Sequence, residues 1–127
     1  MMSAISTDDA PAAIGPYSQA RKVGSLLFVS GQLPIDPATG SFSSEDAGGQ
    51  MTRCMANIAA IARAAGATLD DVVKTTILVT DLGAFDAINA AYSAALEPPY
   101  PARACYEVSA LPKGAKVEVE AVIALKG

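Results

Sequence analysis

The run from Val72 to Thr80 sets the terms for the rest of the chain. It is rich in β-branched residues and predicts a strand. Because successive side chains alternate between faces, Val73, Ile77 and Val79 fall on one side, with Val72 and Leu78 on the other. A strand apolar on both sides has to be covered on both sides. The chain offers two amphipathic helices as cover. Ser43 or Ser44 can cap the first, which runs to about Ala65 with Gly66 as its stop. Its apolar positions, Ala47, Met51, Cys54, Met55, Ile58, Ile61, Ala62 and Ala65, recur in steps of three and four. Asp81 can cap the second, about Gly83 to Leu96, with Phe85, Ile88, Tyr92 and Leu96 as its stripe; Pro98, Pro99 and Pro101 forbid more helix. Two helices cover one face of such a sheet, so a neighbouring subunit is expected on the other.

The remaining segments supply more strands. Ser18 to Val23 and Leu26 to Ser30 flank Gly24-Ser25, a hairpin dipeptide. Gln32 to Ile35 stays extended, and Asp36 to Gly40 turns the chain. Pro101 to Val108 and Lys116 to Ala121 both alternate, and the short turn around Leu111-Pro112-Lys113-Gly114 predicts that they form an antiparallel hairpin. That pairing would set Cys105 across from Glu118 or Glu120 and gather them with Arg103 on one side of a ribbon. The order is β-β-α-β-α-β-β, an α+β chain with a mixed sheet and both helices on one face, expected to be a single domain over residues 1–127.

Composition narrows the chemistry. Hydrophobic residues make up 51% and charged ones 17%, which excludes a disordered chain. Nine basic against thirteen acidic residues leave a net charge of −4, with no electrostatic footprint for nucleic acid. There is no histidine, so Glu, Asp, Cys, Tyr and water are left to move protons. Cys54 and Cys105 are too few and too far apart for a closed zinc site, and no metal is expected. Met1 to Ala13 lacks the apolar core of a secretion signal, and no run approaches membrane-spanning length. The expectation is a soluble, reduced, cytoplasmic protein without membrane contact.

Several segments, taken in order, resemble the RidA (YjgF) family: Ala-Ile-Gly-Pro-Tyr-Ser-Gln at 13–19, Leu-Phe-Val-Ser-Gly-Gln at 27–32, Asp-Val-Val-Lys-Thr-Thr at 71–76, Asn-Ala-Ala-Tyr at 89–92, Pro-Ala-Arg-Ala-Cys at 101–105 and Val-Glu-Val-Glu-Ala at 117–121. The likeness covers nearly the whole chain. It implies a chorismate-mutase-like fold, assembled as a homotrimer with ligand sites between subunits. It also implies a cofactor-independent hydrolase, a deaminase that converts enamines and 2-imino acids, such as those from 2-aminoacrylate, to 2-oxo acids and ammonia. By position, Arg103 matches the carboxylate-binding arginine, and Tyr17, Ser30, Gly31, Asn89, Cys105 and Glu118 match other pocket residues. Ala104, where relatives often carry serine, is expected to face away from the ligand.

The residue types suit that chemistry. A guanidinium fork binds a planar carboxylate through two parallel hydrogen bonds; the plainer reading of Arg103 is an ion pair with Glu107, Glu118 or Glu120. Glu118 is the choice to position or activate water; it and Glu120 share a strand face closely enough to raise one pKa if partly buried, while Glu120 itself is read as inert. Cys105 has no histidine to make its thiolate and is expected to shape the pocket. Asn89 sits beside an apolar helix stripe, and its amide must find partners. Tyr17 offers a ring wall or simple packing; Ser30 and Gly31 allow close backbone approach or merely end a strand. The competing readings are a pathway-specific deaminase of the 2-aminomuconate type, a non-catalytic binder of small carboxylates, and a ribonuclease, which the acidic charge and missing histidine disfavour.

Overall fold

The computed structural model describes residues 2–126. In chain order its elements are β1 (Met2–Ile5), β2 (Ala20–Val23), β3 (Leu26–Gln32), β4 (Ile35–Asp36), β5 (Ser41–Phe42), α1 (Ala47–Ala64), β6 (Val72–Val79), α2 (Phe85–Ala94), β7 (Ala102–Glu107) and β8 (Val117–Ala124). The main sheet is ordered β1-β2-β3-β8-β6-β7, and β4 with β5 forms a separate small hairpin. Within the main sheet β6 and β7 run parallel, while the other neighbours are antiparallel.

Local chemistry explains most of the boundaries. Val23 pairs with Leu26 across Gly24-Ser25, and Gly24 takes a φ of 57° that costs glycine little. Asp46 caps α1 by accepting from the Gly49 amide at 3.0 Å, and the Ser44 hydroxyl donates to the same carboxylate at 2.6 Å. The expected serine cap thus supports an aspartate cap. At the other end Gly66 adopts a φ of 81°, and the Ala67 amide reaches back to the Ala62 carbonyl at 2.8 Å. Asp81 caps a short 3-10 turn, Leu82–Ala84, by accepting from Gly83 at 2.7 Å, so the second helix begins only at Phe85.

Both helices lie on one face of the sheet. Met51, Cys54, Met55, Ile58 and Ile61 from α1 and Ile88 and Tyr92 from α2 share a core with Leu27, Val29, Ile77, Val79, Val117, Val119 and Ile123. Across the sheet, Val23, Leu26, Phe28 and Tyr106 are 41%, 37%, 46% and 57% exposed, so the face opposite the helices carries uncovered apolar surface. Among the described residues no helix is long and apolar enough to cross a membrane.

Three expectations need correction. The segments at 101–108 and 116–121 do not form a hairpin: β6 lies between their strands, parallel to β7 and antiparallel to β8. A two-sided apolar strand gains most by being flanked on both edges, and the segment between β7 and β8 crosses over it instead of turning back. Val73 does not share a face with Ile77, because the register slips by one residue between Val72 and Lys74; Val72 is buried and Val73 is 46% exposed. Finally, β1 has no counterpart in the order read from sequence; it is a short edge strand held by pairing to β2.

Candidate active site

The register decides which charged groups can meet. Arg103, Cys105 and Glu107 on β7 align with Thr75, Ile77 and Val79 on β6, and the last two align in turn with Val119 and Val117 on β8. These residues share the helix-covered face. Glu118 and Glu120 align with Leu78 and Thr76 and project from the opposite face. The expected cluster of guanidinium, thiol and carboxylates on one side of a ribbon is therefore absent within the chain. Arg103 and Glu118 stand two strands apart and three residues out of register, roughly 14 Å between backbones, with side chains aimed to opposite sides of the sheet.

The seven sequence-predicted residues divide accordingly. On the helix side, α2 brings Asn89 to Arg103, whose Nη1 donates to Asn89 Oδ1 at 2.6 Å. The guanidinium carbon lies 5.4 Å from the centre of the Phe85 ring and 5.2 Å from that of Tyr92. No carboxylate lies within ion-pair distance of Arg103 among the described residues; the ion pair that is present joins Lys126 to Asp71. Glu107, one expected partner, instead accepts from the Leu82 amide at 2.9 Å. Arg103 and Asn89 face an open cleft of about 530 Å³ with Tyr92, Ser93, Tyr100 and Pro101. Sequence reading placed Tyr92 in a packing stripe and passed over Tyr100; only their convergence on Arg103 gives them away.

On the other face, Tyr17, Ser30, Gly31 and Glu118 line a second cleft of about 520 Å³, together with Pro112, Lys113 and Glu120. The register between β3 and β8 shifts between Val29 and Gln32, and Ser30 and Gly31 occupy that irregularity. Ser30 donates its hydroxyl to the Ser18 carbonyl at 2.6 Å, tying the segment that carries Tyr17 to β3. At Gly31 a Cβ would stand 2.5 Å from Glu118 Oε2, so glycine there leaves the carboxylate its room. Glu118 is half-buried; burial first, and the Glu120 charge second, push its carboxyl above the usual glutamate range.

Cys105 lines neither cleft. It lies on the Arg103 face, partly buried against the core, and burial pushes its thiol up despite the nearby guanidinium. That favours a neutral thiol over a nucleophilic thiolate. Ala104 lies on the face away from Arg103, as expected from alternation. Chemically, one cleft offers a cationic fork for a carboxylate, and the other an acid with a raised pKa beside open backbone.

Comparison with known proteins agrees with this arrangement of elements. The family described as Endoribonuclease L-PSP matches residues 7–125. A RutC family protein, y4sK, of Sinorhizobium fredii is 66% identical over 98% of this chain and 99% of its own. A 2-iminobutanoate/2-iminopropanoate deaminase of Salmonella typhimurium is 46% identical over 96% of this chain and 97% of its own. The crystal structure of RidA from an Antarctic Psychrobacter superposes with a TM-score of 0.93 at 46% identity, covering 97% of this chain and 99% of that one.

Proposed function

We propose, from the premise that the chain belongs to the Endoribonuclease L-PSP family to which RidA and YjgF belong, that it is a deaminase of 2-imino acids and their enamine tautomers. The observation that carries this reading is Arg103: a guanidinium held by Asn89 and two rings, without a carboxylate partner among the described residues, and facing an open cleft. Such a group is set up to receive a carboxylate from outside the chain. Deaminase-named relatives at this level of identity supply the reaction class.

In this reading Arg103 grips the carboxylate of the imino acid and so fixes the neighbouring imine carbon. Glu118 takes a proton from water as the oxygen attacks that carbon, then returns it to the nitrogen. The C=N bond becomes C–N, then breaks; the water oxygen ends as the keto oxygen and both water protons leave on ammonia. Neither a covalent enzyme intermediate nor a redox step is required. Tyr17, Ser30 and Gly31 bound the Glu118 side of the site, and Cys105 supports the Arg103 side.

Arg103 and Glu118 point away from each other in one chain, so the proposed site needs the Arg103 cleft of one copy and the Glu118 cleft of another. The uncovered apolar face of the sheet suits such an assembly, and a homotrimer in the cytoplasm is proposed with it. The test is to generate 2-aminoacrylate with a dehydratase and follow ammonia and pyruvate with and without the protein. Faster release that is lost in Arg103→Ala supports the deaminase. No acceleration alongside tight binding of 2-oxobutanoate identifies a binder instead.

A further inference from the structure

Phe85, Asn89 and Tyr92 fall on one side of α2, at spacings of four and three residues. All three touch the same guanidinium: Asn89 by a hydrogen bond, and the two rings at 5.4 and 5.2 Å from its carbon. Tyr92 is itself fixed. Its hydroxyl lies 2.7 Å from Thr75 Oγ1, with Tyr92 3% and Thr75 0% exposed. Thr75 is also the residue that faces Arg103 across the β6–β7 pair. The contacts therefore close a ring: strand to helix through Thr75 and Tyr92, helix to arginine through the aromatic face, and arginine back to its own strand neighbour.

An exposed arginine usually samples many rotamers, and a carboxylate arriving at a mobile fork must order it first. We propose that Phe85, Tyr92 and Thr75 are positioning residues that hold the Arg103 fork pre-aimed into the cleft. The rings take its face and Asn89 takes Nη1, which leaves the remaining donors for an incoming carboxylate. This rests on the reading of Arg103 as a carboxylate site, but the cradle itself can be observed without any ligand.

Three measurements are made on full-length protein carrying Phe85→Leu, Tyr92→Leu, Tyr92→Phe or Thr75→Val. First, the Arg103 side-chain signals, assigned by their loss in Arg103→Ala, are followed by NMR. Ring currents should shift them upfield in the wild type, and both leucine variants should move them toward free-arginine values. Second, calorimetry with 2-oxobutanoate should show affinity falling about tenfold in each leucine variant, the scale of a partly desolvated cation–π contact. Third, in the deaminase assay KM should rise by the same factor with a smaller change in kcat, since carboxylate binding is shared by ground and transition states. Tyr92→Phe, which keeps the ring, and Thr75→Val, which only unties it, should lose less.

Arg103 signals unmoved in folded leucine variants would overturn the proposal, as would unchanged affinity. Phe85 is less buried than Tyr92, so Phe85→Leu carries the test if Tyr92→Leu fails to fold. A wild type that neither binds 2-oxobutanoate nor deaminates refutes the Arg103 reading, while the ring-current shift still decides whether the cradle holds the fork.

Discussion

A lysine at position 103 would keep the charge and lose both the planar fork and the stacking on Phe85 and Tyr92. Arg103→Lys is therefore expected to lose nearly as much kcat/KM as Arg103→Ala, each on the order of a hundredfold; a lysine variant as active as the wild type refutes this. Glu118 adds a pH signature. Its carboxyl holds a proton at pH values where an ordinary glutamate has released it, because burial and then Glu120 raise its pKa. Rate should fall with acidity through a pKa above the usual glutamate range, and Glu120→Gln should move that limb to lower pH while sparing the plateau. Stability runs the other way. A raised folded pKa means that the native state binds the proton more tightly, so this contribution is fully present below the unfolded value and lost as pH rises through the folded one. Glu118→Gln should thus abolish turnover yet melt slightly above wild type at pH 7, with the gain gone at pH 4. Arg103 and Glu118 were recognisable in the sequence as residue types suited to this work. Tyr92 was not, because an aromatic in a helix stripe has the same spacing whether it packs or cradles.

The irregularity in β3 and the helix α1 meet at the segment that follows Gly31. Asn57, fully buried, donates to the carbonyls of Leu33 and Ile35 at 3.0 Å each, while its Oδ1 accepts from Arg53 Nε at 3.0 Å and Nη2 at 2.7 Å. Leu33 lines the Glu118 cleft and also a smaller pocket that it shares with Tyr17 and Gly31. Asn57→Ala strands two carbonyls and should cost about 1–3 kcal/mol in denaturant unfolding. Gly31→Ala makes the opposite kind of change. The new Cβ would meet the end of the Glu118 side chain, not backbone, so the carboxylate should swing aside. The expected result is near-wild-type unfolding with a large loss of turnover; unaltered turnover would separate Glu118 from the reaction. Helices were legible at this scale because their 3.6-residue period and caps are local. The β7–β8 hairpin misled because a short turn signal says nothing of a third strand that enters between them.

In the whole molecule, the proposed assembly makes a sharp prediction. Arg103→Ala and Glu118→Gln should each be inactive, but chains co-refolded in equal amounts should regain about a quarter of wild-type activity, the share of junctions where an intact arginine meets an intact glutamate. Failure to recover in verified mixed assemblies would mean that each chain works alone. A monomer at micromolar concentration by light scattering would likewise leave the exposed Phe28 and Tyr106 face without its proposed cover. By itself the sequence determined the family, the two helices and their shared face, and it named the residues proposed to carry the chemistry. Those are written in local periods, caps and ordered motifs. Only the tertiary structure decided that β6 separates β7 from β8, and hence that Arg103 and Glu118 lie on opposite faces. Strand neighbours are chosen by burial of the whole sheet, and changing which strands pair changes which side chains can meet, with no trace in either strand's own alternation.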